Sequence, residues 1–125
     1  MELTVVHAAH REQFGKPINQ YQAVASHLAV MRANVDIASV VAKSAMEAGF
    51  DDSTSVAVMR STLGAVSEEI SARAHQVHAA IGVTREHPLH RSTMRVWAYR
   101  DEDGTQREWM LQLGWEIVRG GPEAL

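Results

Sequence analysis

The stretch Ala9 to Gln22, AHREQFGKPINQYQ, decides how the chain folds. It opens on a helical face, breaks at Gly15 and Pro17, and restarts as a second helix near Asn19. Pro17 has a fixed φ and biases Lys16 away from the α region, so the break reads as a defined turn between two helices. Arg11, Gln13 and Phe14 stand just before the turn, and Tyr21 and Gln22 just after it. An Arg, amide side chains and aromatics around one tight turn are suited to gripping a planar, anionic ligand. A helix–turn–helix corner carrying an amphipathic Arg is the alternative reading.

On the N-terminal side, Met1 to Phe14 reads as a short helix or the tail of a longer one, with Leu3, Val6 and His10 on one face. On the other side, from about Ile18 to Gly49, Tyr21, Val24, Leu28, Met31, Val35, Ala38, Ala42 and Ala45 recur by three and four. They predict one helical seam, about 45 Å long, with Asn19 as N-cap and Gly49 as the stop. Asp52 or Ser53 caps the next helix, where Val56, Met59, Leu63, Val66 and Ile70 repeat the spacing and Val77 and Ala80 resume it. Arg73 interrupts that seam, with Glu68 and Glu69 at ion-pairing distance along the helix. Gly82 and Pro88 end it. Leu89 to Arg100 is a short helix expected to bury Met94, Trp97 and Ala98. Thr105 with Glu108 forms a capping-box pattern for a last helix bearing Trp109, Met110, Leu113, Ile117 and Val118. That helix stops at Gly120, Gly121 and Pro122. No segment alternates as a strand. The fold class is all-α, an antiparallel four-helix bundle.

A chain of 125 residues, 46% hydrophobic and 22% charged, is one globular domain with a real core. A net charge of −3 and a pI of about 6.1 give no reason to expect nucleic acid as a partner. Without Cys there is no disulfide, thiolate chemistry or sulfur-bound metal. The start MELTVVHAAHRE lacks a signal-peptide pattern, and no apolar run reaches the roughly 18 residues of a membrane span. These features together predict a cytoplasmic protein.

His7 and His10, His75 and His78, and His87 and His90 form three pairs spaced by three. Helical metal ligands use that spacing, but carboxylate partners in matching Glu-x-x-His sets are missing, so capping, solvated or ligand-edge roles are expected and no metal site. Asp101, Glu102 and Asp103 read as a charged turn preceding a helix N-terminus, with a mutually poised base as the alternative.

Three segments resemble one family in order along the chain. They are Arg11 to Ile18 with Tyr21 and Gln22, the run AHQVHAAIGVTREHPLHR from Ala74 to Arg91, and DGTQ from Asp103 to Gln106. They are similar to the R-x-Q-F-G, Q-x-H-G-G and E-G-T motifs in the C-terminal helical domain of the acyl-CoA dehydrogenases. The resemblance implies FAD at a subunit interface, with Arg11 toward the pyrophosphate and Gln13, Phe14 and Gln22 near the adenosine half. Gln76, Ala79 and Ala80 would lie against the same dinucleotide, with Ala79-Ala80 in place of the family's Gly-Gly. Asp103 stands where many members carry the catalytic Glu. It is one methylene shorter, and a misplacement of about 1 Å can cost on the order of 10²-fold in rate. Other members place that Glu upstream of R-x-Q-F-G.

The resemblance further implies an acyl-CoA substrate, an electron-transfer flavoprotein as electron acceptor, and a homo-oligomer or a partner acyl-CoA dehydrogenase subunit. It covers residues 1–125 as the C-terminal bundle with its first helix truncated and the N-terminal and middle domains absent, so catalysis by these residues alone is not expected. EHPLHRSTMRVWAYRDEDG is also similar to an actinobacterial subset acting on steroid or other bulky acyl-CoA thioesters, often built from two unlike subunits. A non-catalytic helical module docking to a partner dehydrogenase subunit is the competing expectation.

Overall fold

A computed structural model describes residues 1–121. Five helices follow in order: α1 (Glu2–His10), α2 (Gln22–Ala48), α3 (Ser53–His78), α4 (Pro88–Asp101) and α5 (Gln106–Gly120). The long helices α2 and α3, with α4 and α5, form the expected antiparallel four-helix bundle, and α1 is a short addition at one end. α3 is the shared element, packed by α2, α4, α5 and α1.

The reason lies in its side chains. Ala57, Gly64 and Ser71 are buried at intervals of seven residues, with Ala74 between Ser71 and the buried pair Val77 and His78. Small groups at that interval leave one face of α3 smooth enough for neighbouring helices to approach closely. A Cβ added to Gly64 would lie 2.8 Å from Gln106 Cβ in α5. Of the residues expected to form the seam, Val66 and Val77 are buried, Val56, Met59, Leu63 and Ile70 flank the row half-buried, and Ala80 is exposed. On α2 the expected seam does face inward, with Met31 and Ala45 buried and Tyr21, Val24, Leu28, Val35, Ala38 and Ala42 half-buried.

Several local expectations are met. The Thr105 capping box forms, with Thr105 N donating to Glu108 Oε2 at 2.7 Å and Glu108 N donating to Thr105 Oγ1 at 3.3 Å. Thr54 Oγ1 at the start of α3 donates to Glu116 Oε2 of α5 at 2.8 Å, tying the two helices together. Arg73 pairs with Glu69 and also contacts His27 Nδ1 at 3.1 Å.

Others are corrected. The first helix ends at His10, not Phe14, and residues 12–17 form a small antiparallel hairpin, β1 (Glu12–Gln13) with β2 (Lys16–Pro17). Phe14 and Gly15, its two central residues, have φ of 50° and 82°, the sign pattern of a type I′ turn. Asn19 is not a helix cap. Ile18 is buried and donates to Arg11 O at 2.8 Å, which holds Ile18–Gln20 in a 3₁₀ turn, so α2 starts after Tyr21. α3 ends at His78, and Ala79–Val83 continues as a 3₁₀ turn before α4.

On α4, Met94, Trp97 and Ala98 are exposed, while Leu89 and Thr93 are buried, because only that edge meets α3. On α5, Trp109, Leu113 and Ile117 are half-buried, and Met110, Trp115 and Val118 are exposed. The expected stop at Gly120 and Gly121 is observed, and Pro122 lies outside the described residues. Contrary to the hydropathy expectation, α2 is long and apolar enough to cross a bilayer by length and composition, with an 18-residue window at mean hydropathy 1.2. Its Ala and Val content raises that mean around the Arg32–Asp36 ion pair.

The contact at Gly64 yields a stability prediction. Gly64→Ala should push α5 away and lower stability by about 1–3 kcal/mol, measured by urea unfolding. No loss would show that α5 is not held against this row.

Candidate functional site

The corner where α1, the hairpin and the end of α3 meet carries most of the residues singled out from the sequence. Its hydrophobic base is Ala8 of α1, Ile18 and Val77 of α3, all buried, with Tyr21, Val24 and Leu28 packed against them. Above this base lie two adjoining cavities. One, of about 310 Å³, is lined by Arg11, Gln13, Ala79 and Ala80 together with His7 and His78. The second, of about 290 Å³, is lined by Phe14, Gln76 and Tyr21 and shares Gln13, Ile18, Val77 and Ala79 with the first. Segments more than 50 residues apart in sequence therefore line one continuous concavity.

The hairpin is braced from below. Tyr21 Oη donates to Gln13 O at 2.8 Å, and Lys16 Nζ lies 4.4 Å from the centre of the Tyr21 ring. Phe14 meets Tyr21 edge-on at 6.4 Å, yet remains 93% exposed at the hairpin tip. An aromatic that its own chain leaves open at the rim of a cavity is available to a ligand or partner.

Backbone strain marks the same place. Among the described residues, Phe14 and Ala79 are the two non-glycine residues with positive φ, and both line the second cavity. Ala79 has φ 53° and ψ −142°, a conformation that glycine adopts far more readily than an L-residue. Ala79 thus combines a glycine-like backbone with an alanine side chain.

Two residues fall outside the concavity. Gln22 is exposed at the first turn of α2 and lines neither cavity. Asp103 is exposed in the turn between α4 and α5 and likewise lines neither.

The structure adds a histidine cluster that spacing alone did not reveal. His7 of α1 stacks on His78 of α3, ring centres 4.2 Å apart, and His87 at the head of α4 meets His78 at 4.8 Å. Each sequence pair stays on one helix, but its members make different contacts. His10 Nδ1 contacts Val6 O at 2.9 Å, and His75 Nε2 contacts Thr93 Oγ1 at 3.0 Å. His87 caps α4, its Nδ1 accepting from Leu89 N at 3.1 Å. Among the described residues no group of His or carboxylate side chains is arranged to hold a metal ion, and the three clustered rings meet as faces and edges.

His78 is buried, and neither of its ring nitrogens has a hydrogen-bond partner. Burial, followed by the nearby His7, His87 and His75, pushes its pKa down to about 4. His7 is lowered by burial, then by His87 and Arg11. Both imidazoles are thus held toward the neutral form beside the Arg11 guanidinium.

These residues fit an anionic, planar dinucleotide. Arg11 supplies a planar fork for a diphosphate, and Phe14 and Tyr21 offer ring faces next door.

Comparison with known proteins decides the family. Residues 1–114 match the family described as acyl-CoA dehydrogenase, C-terminal domain. The chain belongs to the acyl-CoA dehydrogenase family. It is 28% identical over 117 residues to acyl-CoA dehydrogenase IpdE2 of Mycolicibacterium smegmatis, covering 94% of this chain and 37% of that protein. It is 31% identical over 119 residues to acyl-CoA dehydrogenase FadE34 of Mycobacterium tuberculosis, covering 90% of this chain and 17% of that one. In fold it is similar to a chain of the ChsE4-ChsE5 complex from Mycobacterium tuberculosis, with TM-score 0.87 at 24% identity, covering 94% of this chain and 33% of that chain. It is also similar to the FAD complex of PigA, with TM-score 0.81 at 21% identity, covering 96% and 32%. The chain therefore spans about a third of the length of most of these relatives.

The buried imidazole predicts a pH dependence. A His titrates near 6.5 in an unfolded chain, and His78 near 4 in the fold, so the unfolded state binds more protons between those values. Stability from this group is complete above about pH 6.5 and is lost as the pH falls toward 4. His78→Phe keeps a ring against His7 without the titration. In urea unfolding compared between about pH 7 and pH 4.5, the unmutated protein should lose more stability than the variant, by on the order of 1–3 kcal/mol. Equal losses would contradict a neutral, buried His78.

Proposed function

We propose that this chain is the C-terminal part of an FAD-dependent acyl-CoA dehydrogenase-like protein and that its α1–hairpin–α3 corner lends one wall to an FAD site between subunits. One observation carries the reading. Arg11, Gln13, Phe14, Gln76, Ala79 and Ala80, drawn from two distant segments, line two adjoining cavities. When bound, FAD would supply the hydride acceptor for α,β-dehydrogenation of an acyl-CoA, with an electron-transfer flavoprotein taking the electrons onward. Arg11 would hold the diphosphate by paired charged hydrogen bonds, Gln13 and Gln76 would orient the nucleotide through their amides, and Phe14 would cover an aromatic face. Gln22, on the exposed first turn of α2, would approach the adenosine end from outside the concavity. Asp103 holds the family's base position, and its separation from the concavity leaves its role to whatever acyl-CoA surface lies across the α4–α5 turn.

The mycobacterial source of several relatives supports the actinobacterial subset, with bulky acyl-CoA thioesters as its proposed substrates and either a second copy or an unlike dehydrogenase subunit as partner. The competing association-module reading draws on Trp115 and Val118 of α5, which are 60% and 71% exposed. Both readings require a partner surface, and only the first requires flavin.

Flavin fluorescence titration at fixed protein concentration, with light scattering in parallel, separates them. FAD should bind, and Arg11→Ala should weaken binding about tenfold or more, as expected for loss of a charged hydrogen-bonded pair. A stable oligomer indifferent to FAD would leave only the association module. Ala79→Gly should stabilise the fold by about 1 kcal/mol through relief of positive-φ strain, and should tighten FAD binding by opening the backbone to the ligand. A destabilised Ala79→Gly, read by thermal unfolding, would show that the Ala79 backbone is not strained.

A further inference from the structure

Six of the seven histidines fall into the three spaced pairs, and the remaining one, His27, stands alone on α2. It is half-buried and lines the second cavity of the α1–hairpin–α3 corner, together with Ala23 one turn earlier on α2 and Gln76 on α3. Arg73 precedes Gln76 by one turn of α3 and reaches across to α2, its Nη1 lying 3.1 Å from His27 Nδ1. Arg73, Gln76 and Ala79 follow at intervals of three, so Arg73 lies about 9 Å down α3 from the strained Ala79 turn. The cavity thus extends from the hairpin, at Gln13 and Phe14, to His27 between the two long helices.

The contact with Arg73 fixes the tautomer of the imidazole. A guanidinium carries N–H donors and no acceptor, so His27 Nδ1 is the acceptor and carries no proton. In the neutral ring the proton is then on Nε2. Arg73 is itself held by Glu69 of the same helix, Nε donating to Oε1 at 2.6 Å, so its charge is matched within α3 and its fork is fixed. A carboxylate orients a guanidinium, and the guanidinium orients a ring. What remains for a ligand is one N–H donor of settled identity.

The rest of the lining shows what that donor is for. Among the described residues no Lys, Arg, Asp or Glu lines this cavity, whereas Arg11 lines the adjoining one. The charged part of a ligand therefore belongs beside Arg11, and an uncharged ring belongs between Phe14 and His27. The Tyr21 hydroxyl is already spent on Gln13 O. The amides of Gln13 and Gln76 can present either a donor or an acceptor and so discriminate little between rings. A fixed N–H does discriminate, because it is satisfied only by an acceptor. We propose that His27 is a specificity-determining residue of this wall, its Nε2–H donating to a ring nitrogen of a purine base whose diphosphate Arg11 holds. This rests on the reading of the corner as a dinucleotide wall, and adds to it a demand for a base with an acceptor on its edge.

NMR titration of the isotopically labelled full chain with ADP, and separately with inorganic pyrophosphate, tests it. Long-range proton–nitrogen spectra should place the His27 proton on Nε2, with that signal moved by ADP and not by pyrophosphate. His27→Gln keeps an N–H near the Nε2 position and should bind ADP as the unmutated chain does. His27→Asn keeps an acceptor for Arg73 but no donor for the base, and His27→Phe keeps neither. Both should weaken ADP binding about three- to tenfold, the loss of one neutral hydrogen bond, and leave pyrophosphate binding unchanged. Circular dichroism establishes that each variant is folded, and the Gln and Asn variants decide the matter if the Phe variant is not. ADP binding undiminished in His27→Asn, equal losses for ADP and pyrophosphate, or a ring proton on Nδ1 would overturn the proposal. If ADP binding is still lost in Arg11→Ala, the dinucleotide reading survives that result. An unmutated chain that binds neither ADP nor pyrophosphate overturns both.

Discussion

The close approach of helices along the small face of α3 is the constraint on which this structure depends. Ala57, Gly64, Ser71 and Ala74 present little more than backbone, so α2, α4 and α5 can each lie against the same helix. Larger side chains in that row would separate the neighbours and break the contacts that define the bundle. The benefit extends to the end of α3. There Val77 and His78 are buried, and Val77 is the floor on which Ala8 and Ile18 close the α1–hairpin–α3 corner. The rigidity of the corner is therefore inherited from packing some distance away.

The corner itself holds its residues at some local expense. Phe14 and Ala79 take backbone conformations that their side chains disfavour, and His78 is buried with both nitrogens unpaired. All three lie in the walls of the paired cavities. Strain and orphaned polar groups collected in one place are what a binding surface looks like when its partner completes it. Ala79 combines a glycine-like backbone with a side chain that disfavours it. The backbone still turns as a glycine would, and the added methyl group narrows the approach without abolishing the turn.

Much of this was legible in the sequence, for physical reasons that differ by element. The seam of α2 was readable because periodicity reports a face directly, and the Thr105–Glu108 cap because it is a local pattern four residues long. The hairpin was not, since strands of two residues have no alternation to detect and depend on the Ile18–Arg11 hydrogen bond. The buried row of α3 was read only in part, with Val66 and Val77 as expected but its small residues missed, because large apolar residues dominate a periodicity argument whereas close helix contacts favour small ones. The buried face of α4 was misread for a related reason. Met94 and Trp97 are apolar, but no element among the described residues covers them. The histidine cluster was invisible because it joins three elements distant in sequence, while the His-x-x-His spacing that drew notice belongs to side chains with separate tasks.

The central claim is that the α1–hairpin–α3 corner is a dinucleotide-binding wall. Backbone amide NMR of the isotopically labelled protein, titrated with FAD, tests it most directly. The account predicts shifts concentrated at Arg11 to Ile18 and Gln76 to Ile81, with the α4–α5 turn around Asp103 unaffected. Shifts centred on that turn, or none at saturating FAD, would contradict it.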